Sequence, residues 1–429
     1  MKYIISTLGC KVNQYETQAM EALLQQHGHS PAKDGEQADA VIVNTCAVTA
    51  ESGRKSRQTI RRLKEENPEA VLAVCGCYSQ ISQEEVAALG AQVIFGAAER
   101  KKLVEAVEEA VEKGLGCRCV DKPFQRRDFE RLPSGAVAGR TRAMLKIQDG
   151  CVNFCSYCII PYTRGRLRSL PIPEAVEETR RLAGLGYREL VLTGIEVASY
   201  GLDLPGRPGL TDLVCAVAEA AGDMRIRLSS LEPTVVTEDF CRRLAAAKRL
   251  CRHFHLSLQS GCDRTLKAMN RKYDTAGFYR AVELLREHFP GCALTCDLIV
   301  GFPGETEQDH RETLDFIRKC AFESMHIFPY SRRPGTPADS MPGQLENAVK
   351  ARRAHEAQQI ARQMHLDFLR SCIGSRLSVL FETQQDGLWT GHSDSYVLVS
   401  AQGEALRGQI RQVLVSEVRG EQLFGHLDD

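Results

Sequence analysis

The chain has a single tryptophan, 6% aromatic residues and no net charge, with 55 lysines and arginines balancing 55 aspartates and glutamates. Balanced charge neither demands nor excludes nucleic acid as a partner, so any electrostatic footprint must come from local clusters. Long apolar runs are missing, and the opening "MKYIISTLGCKVNQ" lacks a charged segment followed by an apolar stretch. The expectation is a soluble cytoplasmic protein with no membrane partner. A length of 429 residues leaves room for two or three domains with ample cores. Cysteine, by contrast, is abundant: there are 17. A reducing compartment and a chain too long to need staples argue against disulfides, so clustered cysteines point to metal ligation.

Residues 1–120 alternate short apolar runs with helical stretches. "KYIIST" leads to a helix from about Asn13, "DAVIVNT" to one from about Thr49, "AVLAVCG" to one from about Ser82, and "QVIFG" to one from about Glu99. Unbroken β-branched runs separated by helices predict an open parallel α/β sheet covered on both faces. Cys10, Cys46 and Cys77 each fall just past one of the first three strands. Parallel strands put their carboxyl ends on one edge, with neighbours about 4.8 Å apart, so these distant thiols are placed to converge on one metal centre. Cys75 lies within its strand and is expected to point into the sheet; Cys117 and Cys119 in "GCRCV" lack a partner set and read as non-ligands. Cys215, Cys241, Cys251, Cys292, Cys296, Cys320 and Cys372 sit in apolar or helical stretches and read as small buried hydrophobes.

Residues 121–142 mix charge, proline and glycine without periodicity, the signature of a linker. A second alternation fills 143–345, with strands "AMLKIQ", "ELVLTG", "RIRLSS", "HFHLSL", "LTCDLIVG" and "SMHIFPY". Six such units predict an open, partial (βα)6 barrel with its chemistry at the carboxyl ends of the strands. A connecting helix over 346–371 leads to residues 372–429, whose short alternating strands and glycine-bearing turns predict a small antiparallel β-barrel. Small barrels of this kind bind single-stranded or looped nucleic acid.

Directly after the first barrel strand, "DGCVNFCSYCIIPYTRGR" sets Cys151, Cys155 and Cys158 at spacings of four and three. Four thiolates close a 4Fe-4S cluster; three leave one iron open for a ligand. Structural zinc wants four protein ligands, and no further Cys or His stands at zinc spacing near Cys158. A non-catalytic, zinc-stabilised RNA-binding protein is the competing reading, separable by elemental analysis.

CxxxCxxC at this place resembles the radical S-adenosylmethionine (SAM) superfamily, and the likeness narrows further. "TLGCKVNQYET", "VNTCAVT", "GCYSQ", "GCVNFCSYCIIPYTRGR", "TGIEVASYG", "LQSGCDRTLKAMNR", "DLIVGFPGET" and "YSRRPGTPA", with a terminal barrel like a TRAM domain, resemble the methylthiotransferases nearly end to end. That resemblance implies an enzyme that replaces a C–H hydrogen with a methylthio group, using two 4Fe-4S clusters and two SAM molecules per turnover. Cys151, Cys155 and Cys158 would hold the cluster whose open iron is chelated by SAM, the source of a 5′-deoxyadenosyl radical. Cys10, Cys46 and Cys77 would hold the second, whose open iron carries the sulfur to be delivered. The "GCKVNQYE" opening and the "KIQDGCVNFC" context look like the branch acting on threonylcarbamoyladenosine next to the anticodon of tRNA. The branches acting on isopentenyladenosine and on a ribosomal protein aspartate typically open with "GCQMN" and "GCPKN". Implied partners are the tRNA anticodon stem-loop, an electron donor such as a flavodoxin or ferredoxin, and a sulfur donor.

The same likeness assigns the SAM pocket. Phe154 and Tyr157 lie in the cluster loop, where an aromatic covers adenine. Thr193, Gly194 and Glu196 end the second strand, Ser230 and Glu232 follow the third, Gln259 ends the fourth, and Asp297 and Gly301 lie on the fifth. Arg271 in "AMNRKY" is placed to neutralise a SAM carboxylate. "GFPGET" is not a phosphate loop, since it lacks both the dinucleotide glycine pattern and a P-loop lysine.

Basic stretches at 54–62, 140–142, 164–168 and 331–335 are candidates for phosphate contact. Residues 371–429 depart from expectation, with four arginines, no lysine and eight acids, a balance of 4 − 8 = −4. So acidic a barrel is a poor generic phosphate binder; the expectation is either a local arginine patch with Trp389 or Tyr396 stacking, or a barrel that mainly positions the tRNA against the middle domain.

Overall fold

A computed structural model describes residues 1–33, 35–134 and 141–428. The amino-terminal sheet is wholly parallel and six-stranded, in the order Ser30–Pro31, Lys2–Thr7, Ala40–Thr45, Val71–Gly76, Val93–Phe95, Cys117–Cys119. Alternation sends Ile42 and Ala73 to the face packed by Met20, Leu24 and Leu103, and Val43 and Val74 to the face packed by Ile60 and Val86. Both faces are therefore apolar, which is why the strands read as unbroken runs. Cys75 is fully buried on the first of these faces, as its register predicts. "GCRCV" is the unforeseen edge strand, pairing with Val93–Phe95 and away from the other strand-end thiols.

Six parallel strands follow: Arg142–Asp149, Glu189–Gly194, Arg225–Leu228, His253–Gln259, Ala293–Val300 and Ser324–Pro329. The first three form one ladder and the last three another, joined by two isolated bridges, Ile226 to Leu250 and Leu231 to Leu256. Among the described residues the first and last strands do not pair, so the barrel is open. Its outer core is one continuous cluster, including Leu145, Leu192, Phe254, Phe278 and Leu298. The helix Asn347–Ser371 seals the last strand by burying Ala354 and Ala357 in that cluster.

The terminal domain is a closed five-stranded barrel, with strands Arg376–Gln385, Leu388–Ser393, Leu398–Ala401, Ile410–Arg419 and Gln422–Leu427. Four of its pairings are antiparallel, as expected, and closure adds a fifth, parallel one between the third and fifth strands. Trp389 is 9% exposed in its core, so it is not available for stacking.

The segment expected to link the first two domains is anchored at two points. Phe129 and Leu132 are buried in the cores of two different domains, and the first barrel strand already begins at Arg142. Residues 135–140, including Arg140 of the second basic stretch, lie outside the described residues. Most of the scattered cysteines are buried as expected; Cys215 is only partly so, on the rim of the core.

Candidate functional site: two thiol triplets and a cavity between domains

Cys10, Cys46 and Cys77 sit at the carboxyl ends of three adjacent strands. Cys10 is the residue before the helix Lys11–Gln26, and Cys77 is the first residue of the short helix Cys77–Ile81. Asn13 ties two of these loops together, its Nδ2 donating to the carbonyls of Leu8 at 2.8 Å and Thr45 at 3.0 Å. A β-carbon on Gly9 would lie 3.0 Å from the Cys46 sulfur, so the Cys10 and Cys46 loops are in direct contact. Cys10 opens into a cleft, yet the surrounding protein displaces most bulk water, and this desolvation pushes its thiol up to about 11 against the pull of Arg164. Burial, then the neighbouring Cys77, raises Cys46 as well.

Gly76 sets the direction of Cys77. Its φ of +103° and ψ of −164° fall in a region only glycine occupies, and a β-carbon would overlap the Thr45 carbonyl and come within 2.7 Å of Asn44 Oδ1. Gly76→Ala is expected to cost about 1–3 kcal/mol from backbone strain alone. In anaerobically reconstituted protein it should lower the melting temperature and remove about half the iron, because only one of two clusters is displaced.

The second triplet lies on the loop leaving the first barrel strand. Residues 268–271 hold that loop: Ser156 N donates to Met269 O at 3.0 Å, Ser156 Oγ to Ala268 O at 2.8 Å, and Asn270 Nδ2 to Phe154 O at 2.9 Å. Arg271 Nη1 donates to Cys155 Sγ at 3.0 Å, while its Nη2 stands 3.5 Å from Glu232. Burial, then Cys155, pushes Cys158 up to about 12; burial raises Cys151 further. Asn153 Nδ2 donates to Glu232 at 2.9 Å and to Glu196 at 3.3 Å, and burial followed by Glu232 lifts the Glu196 carboxyl to about 8.

Neither triplet brings its three sulfurs within 4.8 Å of one another. A single tetrahedral zinc with Zn–S bonds of about 2.3 Å needs sulfurs about 3.8 Å apart. The desolvated thiols need the positive charge of a bound metal group to ionise.

Sequence comparison gives the same answer independently. The radical SAM superfamily model matches residues 145–317, and an uncharacterized protein family, UPF0004, matches residues 2–96. The threonylcarbamoyladenosine tRNA methylthiotransferase MtaB of Bacillus subtilis is 37% identical over 95% of this chain and 92% of its own length. That of Thermotoga maritima is 36% identical, covering 97% and 95%. The chain belongs to the radical SAM methylthiotransferases. It is thus an enzyme, a tRNA methylthiotransferase that uses SAM and iron–sulfur chemistry. A tRNA-2-methylthio-N(6)-dimethylallyladenosine synthase from Carboxydothermus hydrogenoformans is almost as similar, 35% identical over 97% and 96% of the two chains. The solved radical SAM methyltransferase TsrM from Kitasatospora setae, with a SAM analogue bound, shares the fold at a TM-score of 0.58 and 16% identity, covering 90% of this chain and 79% of that one.

In this methylthiotransferase a cavity of about 610 Å³ runs from the amino-terminal sheet into the barrel, and it gathers Cys10, Thr193, Gly194, Ser230 and Asp297. Asp297 pairs with His255 at 3.1 Å. Glu196, Glu232, Tyr157 and Arg271 gather instead around the cluster loop. Arg271 donates through Nη1 to Cys155 and stands 3.5 Å from Glu232, while its buried Nη2 has no hydrogen-bond partner. Phe154 is 39% exposed and stacks on Phe124 with centroids 6.2 Å apart. Gln259 ends its strand at a pairing irregularity with φ +64°, and it is not among the residues lining the cavity. Gly301, at φ +74°, makes room for Lys350 of the connecting helix, whose side chain a β-carbon would overlap.

The sequence reading missed Lys11, His253, His255 and His326, which line the cavity, and offered Tyr396 only as a stacking residue of the terminal barrel. "HFHLSL" carried a signal, because His253 and His255 stand two apart and so share a strand face. Tyr396 carried none: it arrives from the terminal barrel, stacking on His253 at 5.1 Å and His392 at 4.8 Å, with the Arg227 guanidinium 4.7 Å over its ring. Burial, followed by Arg227, holds the Lys11 ammonium below the ordinary lysine range.

Proposed function

We propose that the enzyme converts threonylcarbamoyladenosine next to the anticodon of tRNA into its 2-methylthio derivative, in the cytoplasm. Electrons would come from a carrier such as a flavodoxin or ferredoxin, and sulfur from a separate donor. The single observation that supports this reading most is the shared cavity, which opens on Cys10 at one end and on the barrel strand ends Gly194 and Ser230 at the other. A nucleoside seated there meets Cys10 of one triplet and the strand ends Gly194 and Ser230, each two residues before a carboxylate, Glu196 or Glu232, that holds the loop of the other through Asn153.

Cys151, Cys155 and Cys158 would hold the SAM-binding cluster, and Cys10, Cys46 and Cys77 the sulfur-carrying one. When bound, these groups and SAM supply one-electron hydrogen abstraction and the methylthio group. The chain's own residues supply position and charge. Arg271 fixes the Cys155 sulfur, and Asn153 bridges Glu232 and Glu196, holding the cluster loop against the second and third strand ends. Tyr396 and the histidine pair wall the cavity on the side of the terminal barrel. Helix Ala50–Glu66 presents Arg54, Lys55, Arg61 and Arg62 outward, a surface suited to RNA phosphates.

The test is mass spectrometry of nucleosides from tRNA of a host lacking this gene, with and without the gene restored. The 2-methylthio form of threonylcarbamoyladenosine is expected to appear only with the gene and to vanish with Cys151→Ala. Modification of isopentenyladenosine instead would move the enzyme to the branch of its dimethylallyladenosine relatives; no change in any nucleoside would redirect the search to a protein substrate.

A further inference from the structure

We propose that Lys11 is the residue that selects the nucleoside, its ammonium pairing with the carboxylate of the threonyl group; this rests on the substrate reading above. Lys11 belongs to the amino-terminal domain, yet its side chain reaches into the barrel cavity beside Thr193, Asp297 and His253. The carboxylates lining that cavity each have a histidine partner, and Asp297 acts on Lys11 only from beyond ion-pair distance. Asp297 has His255 at 3.1 Å, and Glu323 has His365 at 3.0 Å. The arginines behind the wall are matched too, since Arg227 holds Glu189 at 2.8 Å and Arg142 holds Glu382. Lys11 makes no hydrogen bond and no ion pair with any described residue.

A cation held away from bulk water without a partner is costly unless a ligand completes it. The ligand must therefore bring an anion into the cavity. Of the two tRNA nucleosides at issue, only threonylcarbamoyladenosine carries a carboxylate on its N6 substituent; isopentenyladenosine ends in a hydrocarbon. Lys11 also directly follows Cys10. The group that would hold the substituent is thus chained to the ligand of the sulfur-carrying cluster, and seating the carboxylate registers the base against that cluster. A backbone phosphate of the same RNA is the other anion within this chemistry, and it is distinguishable because it is present whatever base is modified.

The experiment measures binding of anaerobically reconstituted full-length enzyme to anticodon stem-loop RNAs carrying threonylcarbamoyladenosine, its neutral carboxamide analogue, or isopentenyladenosine. The wild type is expected to prefer the carboxylate over the carboxamide by roughly 10- to 100-fold, the range of a charged hydrogen bond. Lys11→Gln should level the two, and Lys11→Arg should keep part of the preference, with iron content per chain showing that both variants are assembled. A wild type indifferent to the carboxylate overturns the assignment, and needs no variant to do so. Full preference retained by Lys11→Gln also overturns it, as does an equal loss on all three RNAs, which marks a phosphate contact. Tighter wild-type binding of the isopentenyladenosine RNA would instead defeat the substrate reading itself.

Discussion

Replacing Cys151, Cys155 and Cys158 together with alanine is expected to abolish reductive SAM cleavage and to reduce the reconstituted enzyme from about eight irons to about four. Replacing Cys10, Cys46 and Cys77 should remove the same amount of iron, yet leave 5′-deoxyadenosine formation in place while methylthio product disappears. The contrast follows from how the two sites are carried. The loop bearing the first set is held by the backbone of residues 268–271 and by Arg271, all within the barrel. The second set hangs from three strand ends of another sheet. Arg164, whose charge acts on Cys10 and Cys46, keeps Glu16, Asp149 and Asn13 as partners whether or not the thiols are present. Arg271 loses Cys155 in the first variant but keeps Glu232 and the Tyr273 ring, so neither triple variant leaves a buried guanidinium without a counter-charge, and loss of function should not reflect loss of fold. The checks are chromatography of 5′-deoxyadenosine and an iron assay on the same samples. SAM cleavage surviving the first variant would defeat the radical-site assignment; product surviving the second would defeat the sulfur-carrier assignment.

These cysteines were legible in the sequence because their signal is local. Cys46 and Cys77 immediately follow apolar runs that became strands, and Cys151 to Cys158 occupy a single loop. The helix after "DAVIVNT" was readable for the same reason, since Thr49 caps Ala50–Glu66 by accepting from Ser52 N. Whatever depended on residues far apart in the chain was not legible. "RGRLR" looked like a phosphate-binding stretch, but Arg164 and Arg168 are buried as counter-ions, the first of them for a carboxylate 148 positions earlier. Arg333 in "SRRPG" is likewise turned inward, onto the carbonyl of Ala47. A sequence window registers charge but not what will face it, so basic patches were over-read and the unpaired Lys11 was passed over. Tyr396 and Trp389 had equal claims as exposed aromatics. Only closure of the terminal barrel separates them, sending Trp389 into the core and Tyr396 to the cavity wall.

Glu16→Gln is expected to produce the largest loss of stability of any single substitution proposed for this chain, about 3–5 kcal/mol, the cost of breaking a buried ion pair by removing one partner. Glu16 is fully buried where the amino-terminal sheet meets the barrel. It takes Arg100 at 2.9 Å from its own domain, together with Arg164 and, at 3.4 Å, Lys146 from the barrel, and all three cations are as buried as it is. Burial alone would raise its carboxyl, but Arg100, then Arg164 and Lys146, outweigh that and hold it at about 2. Glutamine keeps the shape and leaves Asp149 as the remaining acid that Lys146 and Arg164 share. The sign of the pH dependence follows from a depressed acid. The unfolded chain titrates near 4.5, so the contribution of Glu16 is complete above that value and drains away as pH falls toward about 2. Parallel urea titrations should therefore show a wild-type midpoint well above that of the variant at pH 7, with the gap narrowing below about 4.5 as the wild type alone loses its carboxylate. A gap constant with pH would mean that glutamine disrupts packing rather than charge. No gap at pH 7 would mean that Asp149 suffices for Lys146 and Arg164 and that Arg100 needs no carboxylate, the two domains being held together by their apolar contacts.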